Sequence, residues 1–140
     1  MIEVLIAVLV LAVGLLGVAG MQLSALRSNQ AAYERSVATI MASSIAERMA
    51  ANRASAQGGA YNLAMGGAAC PAPGGGTLAS QDLTDWLTEM RGNGALGPTS
   101  CGSVQCDALT DVCVVTVQWN DSRSTVSGTE TPQLVLEVRL

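Results

Sequence analysis

Eighteen consecutive residues, Val4 to Met21, are all Val, Leu, Ile, Ala, Gly or Met, and no charge falls between Glu3 and Arg27. As a helix this run is about 27 Å long, close to the ~30 Å hydrocarbon thickness of a bilayer, so it is long enough to cross one. Neither Pro nor a Gly pair interrupts the chain from Met21 to about Arg53. Over that stretch the apolar residues thin to a stripe of Leu23, Leu26, Tyr33, Val37, Ile40, Met41, Ile45 and Met49, largely at spacings of three, four or seven. Arg27, Asn29, Glu34, Arg35, Ser43, Glu47 and Arg48 fall between them as the polar side. The pattern predicts one continuous helix of roughly 50 residues, about 75 Å long. Its first part is surrounded by lipid or protein and its second lies on a head domain. A cleaved secretory signal would open on a basic segment, have a shorter apolar core and lead into an unrelated domain. Here the helical period runs on beyond the apolar run, which assigns that run to the mature protein.

The helical pattern stops at Gln57-Gly58-Gly59, and Gly66-Gly67, Pro71, Pro73 and Gly74-Gly75-Gly76 follow, predicting a loop. A short second helix is expected from Ser80 to about Met90. Ser80 or Gln81 opens it, Asp82 and Asp85 fall in its first turns, and Leu83, Trp86, Leu87 and Met90 form its apolar face, with Gly92-Asn93-Gly94 as the stop. Two strands are predicted at Val112 to Trp119 and Leu134 to Leu140, with a weaker one near Gly102 to Cys106 and a long polar connection from Asn120 to Pro132. The expected fold class is therefore α+β: a long N-terminal helix, half transmembrane and half amphipathic, packed on a small antiparallel β-sheet head. The expected units are residues 1–26 as the membrane and assembly helix, 27–55 as the amphipathic part, and 56–140 as the head.

Composition narrows the chemistry. The net charge is −4, with seven Arg, no Lys and no His, so no basic patch is available for nucleic acid. The lack of His removes the commonest general base, and the Ser and Thr residues around Thr99-Ser100 and from Ser122 to Thr131 have no base to activate them. No catalytic residue, metal or cofactor is expected. Asp107, Asp111 and Asp121 could offer oxygen ligands to Ca²⁺, but no loop of EF-hand type surrounds them, and solvated loop carboxylates are the simpler reading. Gly74 to Gly76 lacks the Lys and the strand–loop–helix context of a phosphate cradle. Trp86 and Trp119 are expected in the core, because the chain has no Phe to fill it.

The four cysteines, Cys70, Cys101, Cys106 and Cys113, all follow the apolar run, and their even number points to two disulfides outside the cytoplasm. A four-thiolate zinc site would show paired C-x₂-C knuckles, which are missing. Three pairings are possible, and Cys106 with Cys113 and Cys70 with Cys101 is the one expected. For a head of about 85 residues such bridges matter, at about 2–4 kcal/mol each.

Glu3 begins the apolar run, where a carboxylate held at depth without a partner costs roughly 2.5–3.5 kcal/mol. The string Met1-Ile2-Glu3-Val4-Leu5-Ile6-Ala7-Val8-Leu9-Val10 resembles the start of mature type IV pilins and pseudopilins, where a methylated residue, a few short positions and a glutamate lead into the helix. The resemblance implies that a leader, a cleavage glycine and two residues, the first usually a methylated Phe, precede Met1. It also implies that Glu3 pairs with the positive amino terminus of a neighbouring subunit during assembly. Gly14, Gly17 and Gly20 recur every third residue on the span, permitting close helix packing or local loosening. The helix-breaking proline that major pilins usually carry near this point is absent, which suits a minor pilin. Val114-Val115-Thr116-Val117-Gln118-Trp119-Asn120-Asp121, with Leu134-Val135-Leu136-Glu137-Val138, resembles the closing hairpin of PilV-type minor pilins, and Asp82 to Met90 fits the same group.

The resemblance implies a non-enzymatic filament subunit that helps to initiate pilus assembly near the tip. Its implied partners are other minor pilins, the major pilin, the inner-membrane assembly machinery, prepilin peptidase acting on the precursor, and a tip adhesin. It would sit in the inner membrane with its head in the periplasm, then in the extracellular pilus. The alternatives are a type II secretion pseudopilin, or a single-pass membrane protein that binds a ligand with its head and does not polymerise.

Overall fold

The computed structural model describes residues 1–66, 70, 72–92, 94–121 and 131–140. Helix α1 runs unbroken over Ile2–Ala51, 50 residues. At Asn52 the backbone leaves helical geometry (φ −116°, ψ 46°), and its N–H caps the last turn by donating to the carbonyls of Arg48 at 3.1 Å and Met49 at 3.2 Å. A short helix α2, Arg53–Gln57, follows, and Gly59 at φ 78° turns the chain back. A side chain is disfavoured at that left-handed φ.

Helix α3 spans Leu78–Gly92. It starts earlier than the sequence suggests, because Thr77 caps it rather than Ser80 or Gln81. The Ser80 N–H donates to Thr77 Oγ1 at 3.2 Å, and the Thr77 N–H donates to Ser80 Oγ at 3.1 Å. This is a reciprocal capping box with Ser in the place usually taken by Glu or Gln. Asp82 and Asp85 consequently lie beyond the first turn, which holds no acidic residue.

Three strands, β1 (Cys101–Asp107), β2 (Val112–Gln118) and β3 (Gln133–Arg139), form one antiparallel sheet in the order β1-β2-β3. Val104, Val115 and Leu136 lie abreast on the face toward α1, as do Cys106, Cys113 and Val138. The β2–β3 connection falls largely outside the described residues. The outer edge of β1 is closed by the segment after α2. Leu63 and Val104 exchange N–H···O bonds of 2.8 and 3.0 Å, and the Asn62 side-chain amide takes the N–H of Cys106 at 2.7 Å. Disulfides join Cys70 to Cys101 and Cys106 to Cys113. The second bridge links directly opposed residues of β1 and β2, and Cys106 Sγ lies 4.0 Å from Met49 Sδ on α1.

The core is the seam where α3 and the sheet cover the last third of α1. Glu34, Val37, Ala38, Met41, Ala42, Ile45, Ala46 and Met49 are its buried positions, a perfect i, i+3, i+4 series. This corrects the predicted stripe. Leu23, Leu26, Tyr33 and Ile40 stay 53–65% exposed, while Glu34, assigned above to the polar side, is fully buried. The alanines, too small to stand out in a hydrophobic pattern, mark where the head comes closest. Trp86 and Trp119 are both buried. The Trp86 indole donates to the Met41 carbonyl at 2.8 Å, and its ring lies on Gly102, where a Cβ would stand 2.2 Å from Cη2. Only glycine fits that place in β1.

Candidate functional site

From Ile2 to Asn29 every residue of α1 is exposed, and its apolar window is covered by none of the described residues. The helix is long and apolar enough to cross a membrane. Glu3 sits exposed in the first turn of α1. Gly14, Gly17 and Gly20 have open space where a Cβ would project, with no atom within 4 Å. Steps of three residues turn a helix about 60° short of a full revolution, so these glycines trace a winding notch rather than one straight face. Glu3 and the three glycines therefore belong to one uncovered surface, whereas the four cysteines lie in the head and only stabilise it.

That surface continues past the apolar run. Leu26, Tyr33 and Ile40, seven residues apart, remain exposed alongside the head. With Leu9, Ala12, Leu16, Ala19, Leu23, Gln30 and Val37 they form an alternating three–four series, the spacing of a left-handed helix–helix seam. A shallow depression of about 350 Å³ is lined by Leu23, Leu26 and Gln30 of that seam, with Arg27 beside them. Val37 falls on this series by spacing but is buried under the head, so the exposed positions beyond Arg27 are Tyr33 and Ile40.

Two polar arrangements in the head were not foreseen. Glu34 accepts the indole N–H of Trp119 at 3.1 Å and the side-chain amide of Gln30 at 3.1 Å. Nearer the far end of α1, the fully buried Tyr61 donates to Asp82 Oδ2 at 2.5 Å and accepts from Asn52 at 3.3 Å. Arg48 reaches Asp82 at 4.0 Å and Glu89 at 3.4 Å. Burial, and then the bond to Asp82, push the Tyr61 hydroxyl above its ordinary pKa. Both arrangements tie the head to α1. Neither Glu34 nor Tyr61 carries a local sequence signal of this role.

The remaining candidates are structural in this geometry. Asp107 Oδ1 accepts the N–H of Leu109 at 2.8 Å, and Asp111, at φ 56°, accepts from Gln57 at 3.0 Å, so both carboxylates shape the β1–β2 turn. Asp121 is half-buried just after β2. Among the described residues no three His, Cys, Asp or Glu gather to hold a metal. Gly74, Gly75 and Gly76 line a hollow of about 300 Å³ with Pro73, Ser80, Gln81, Thr84 and Asp85, and no cation is among the described residues that line it.

Comparison of the chain with protein-family models, curated proteins and solved structures finds no match. The arrangement itself is an α+β chain in which one helix serves two environments. A disulfide-bonded head covers its last third, and none of the described residues covers most of the rest.

Proposed function

We propose that this chain is a filament subunit of the type IV pilin kind, a minor pilin resembling the PilV group that helps to start pilus assembly near the tip. The observation that carries the reading is the uncovered seam of α1, which leaves the apolar run and continues through Leu26, Tyr33 and Ile40 beside the head. A span meant only for lipid has no use for a helix-packing period beyond Arg27. A helix packed among parallel helices of the same kind does.

Glu3 fits the same reading. In a low-dielectric bundle a lone carboxylate and a lone ammonium are each costly, and together they offset one another. Its pairing with a neighbour's amino terminus would fix the axial step between subunits. The partners are then other minor pilins, the major pilin, the inner-membrane machinery and a tip adhesin, with prepilin peptidase acting on the precursor. The protein would pass from the inner membrane to the extracellular pilus.

The test is mass spectrometry of sheared pili from cells with and without prepilin peptidase. Peptides of this chain in filaments only when the peptidase is present are the expected result. Recovery solely from the inner membrane would favour the single-pass binding protein, and recovery with a secretion system would favour the pseudopilin. Glu3→Ala should leave membrane insertion intact and lower incorporation into filaments; unchanged incorporation at native expression counts against the pairing.

A further inference from the structure

The surface that α1 offers to its head is nearly repetitive along the helix axis. One row is Ala38, Ala42 and Ala46, and the row beside it is Val37, Met41, Ile45 and Met49. Moving the head by four residues sets Ala on Ala and one long apolar side chain on another. Apolar contact is non-directional, so packing alone separates these registers poorly.

Most polar ties across the interface do not separate them either. Trp86 donates to a backbone carbonyl, that of Met41, and the helix presents the same group one turn on at Ile45. Arg48 is a long, partly exposed side chain whose contacts with Asp82 and Glu89 are loose, at 3.4–4.0 Å. The junction at Asn52 is already non-helical and is followed by Gly58-Gly59, so a turn can be taken up there. Tyr61 meets Asn52 at that junction and keeps Asp82, within the head, as its acceptor in any register. The contact at Glu34 is different. Glu34 is completely buried at the head's span-facing end and accepts the N–H of Trp119, itself buried at the end of β2. With the head moved one turn toward the span, Glu34 would face the apolar core and Trp119 would face Gln30. With the head moved the other way, Trp119 would lie over Ala38 with no acceptor. Either displacement leaves a buried polar group without its partner, which is strongly unfavourable.

We infer that Glu34, acting through Trp119, is a register pin: it selects one axial position of the head on α1 and so fixes the height of the head above the span. Buried polar groups have their best-attested use in this kind of register choice, often with little or no gain in stability. The role concerns the single chain and stands whether or not the chain polymerises. Glu34 is thus a positioning residue for every surface the head presents.

The experiment is a distance measurement by pulsed electron spin resonance on the full chain in detergent. Spin labels are carried on unnatural ketone side chains at the exposed Arg35 and Gln105 positions, so that the four cysteines stay in their bridges. The otherwise native chain and Glu34→Gln, which keeps an acceptor of the same shape, should give one distance. Glu34→Leu, apolar and of similar size, leaves the Trp119 N–H without its Glu34 acceptor in the native register, and should add a second population displaced toward the span by up to about 6 Å, four residues of helical rise, where Trp119 meets the Gln30 amide. Trp119→Phe should add a population displaced the other way, with the head moved away from the span, because the cost of leaving the indole N–H over Ala38 is then gone. A single native distance in both Glu34→Leu and Trp119→Phe overturns the inference, because packing alone would then set the register. Should Glu34→Leu fail to fold, Trp119→Phe decides alone.

Discussion

The two parts of α1 share one backbone geometry and differ in what they ask of their surroundings. From Val4 to Met21 the helix is apolar on every side and exposed throughout; from Glu34 to Met49 one side is apolar apart from Glu34 itself, and the head covers that side. Small residues occur in both parts with opposite effect. Gly14, Gly17 and Gly20 face open space, whereas Ala38 and Ala42 are fully buried against the head. A small side chain in this helix therefore does not by itself mark contact: the head meets it in one part, and none of the described residues meets it in the other. Helical period alone does not separate the two; the residues opposite the period do.

The sharpest break of that comparison removes the head's grip. Trp86→Ala deletes the largest fully buried side chain, its bond to the Met41 carbonyl and the ring over Gly102, and should cost about 3–5 kcal/mol in denaturant unfolding of the detergent-solubilised chain. Leu16→Ala in the uncovered part should leave the same transition unmoved. If both variants destabilise the head alike, the two parts of the helix are not independent. Next in size are the disulfides. Replacing Cys70 and Cys101 by Ala opens a loop with a sequence separation of 31, and replacing Cys106 and Cys113 opens one of 7. Loop-closure entropy predicts losses of about 3.7 and about 2.4 kcal/mol respectively, checked by the same unfolding measurement. The reverse order would mean that the Cys106–Cys113 bridge acts chiefly through its contact with Met49.

A smaller effect tests the small residues directly. Ala42→Leu forces three heavy atoms into a filled interface and should cost about 1–3 kcal/mol. Ala12→Leu, on the same helix with room around it, should not change the head's unfolding, and its effect should instead be read in filament incorporation. Loss of head stability from Ala12→Leu would show a cover over the uncovered part that the chain itself provides.

These contrasts follow how the sequence could be read. The apolar run, the 50-residue helix and the β-branched strands were legible because each rests on a repeated pattern of bulky side chains. The covered face was legible only in part. A count of large hydrophobics includes Leu26, Tyr33 and Ile40, which point away from the head, and passes over Ala38, Ala42 and Ala46, which touch it. Glu34 was misplaced for the same reason: charge suggests a solvated side, and nothing local announces a partner 85 residues away in Trp119. The Thr77 cap was hidden because Ser, not Glu, closes its box. Gly102 carries no local signal at all, since the ring that requires it comes from α3. Glu3 and the glycines Gly14, Gly17 and Gly20 are exposed on α1, and none of the described residues packs on them.

The smallest expected effect lies at the far margin of the covered part, where Tyr61 is buried beside Asp82 and Asn52. Removing its hydroxyl with Tyr61→Phe deletes two hydrogen bonds around one oxygen and should cost about 0.5–1.5 kcal/mol at neutral pH. The pH dependence distinguishes this from mere loss of packing. Burial and Asp82 raise the pKa of Tyr61 above 10.0, so the folded chain favours the neutral phenol. Its stabilisation is complete below the unfolded pKa and is lost as pH rises through the raised folded value, because an unfolded chain releases the proton more readily. Stability measured between about pH 9 and 12 should thus fall more steeply for the native chain than for Tyr61→Phe, and the gap between them should narrow. Parallel curves would mean that the hydroxyl ionises as easily under the head as in water, and that the cover over α1 ends before Asn52.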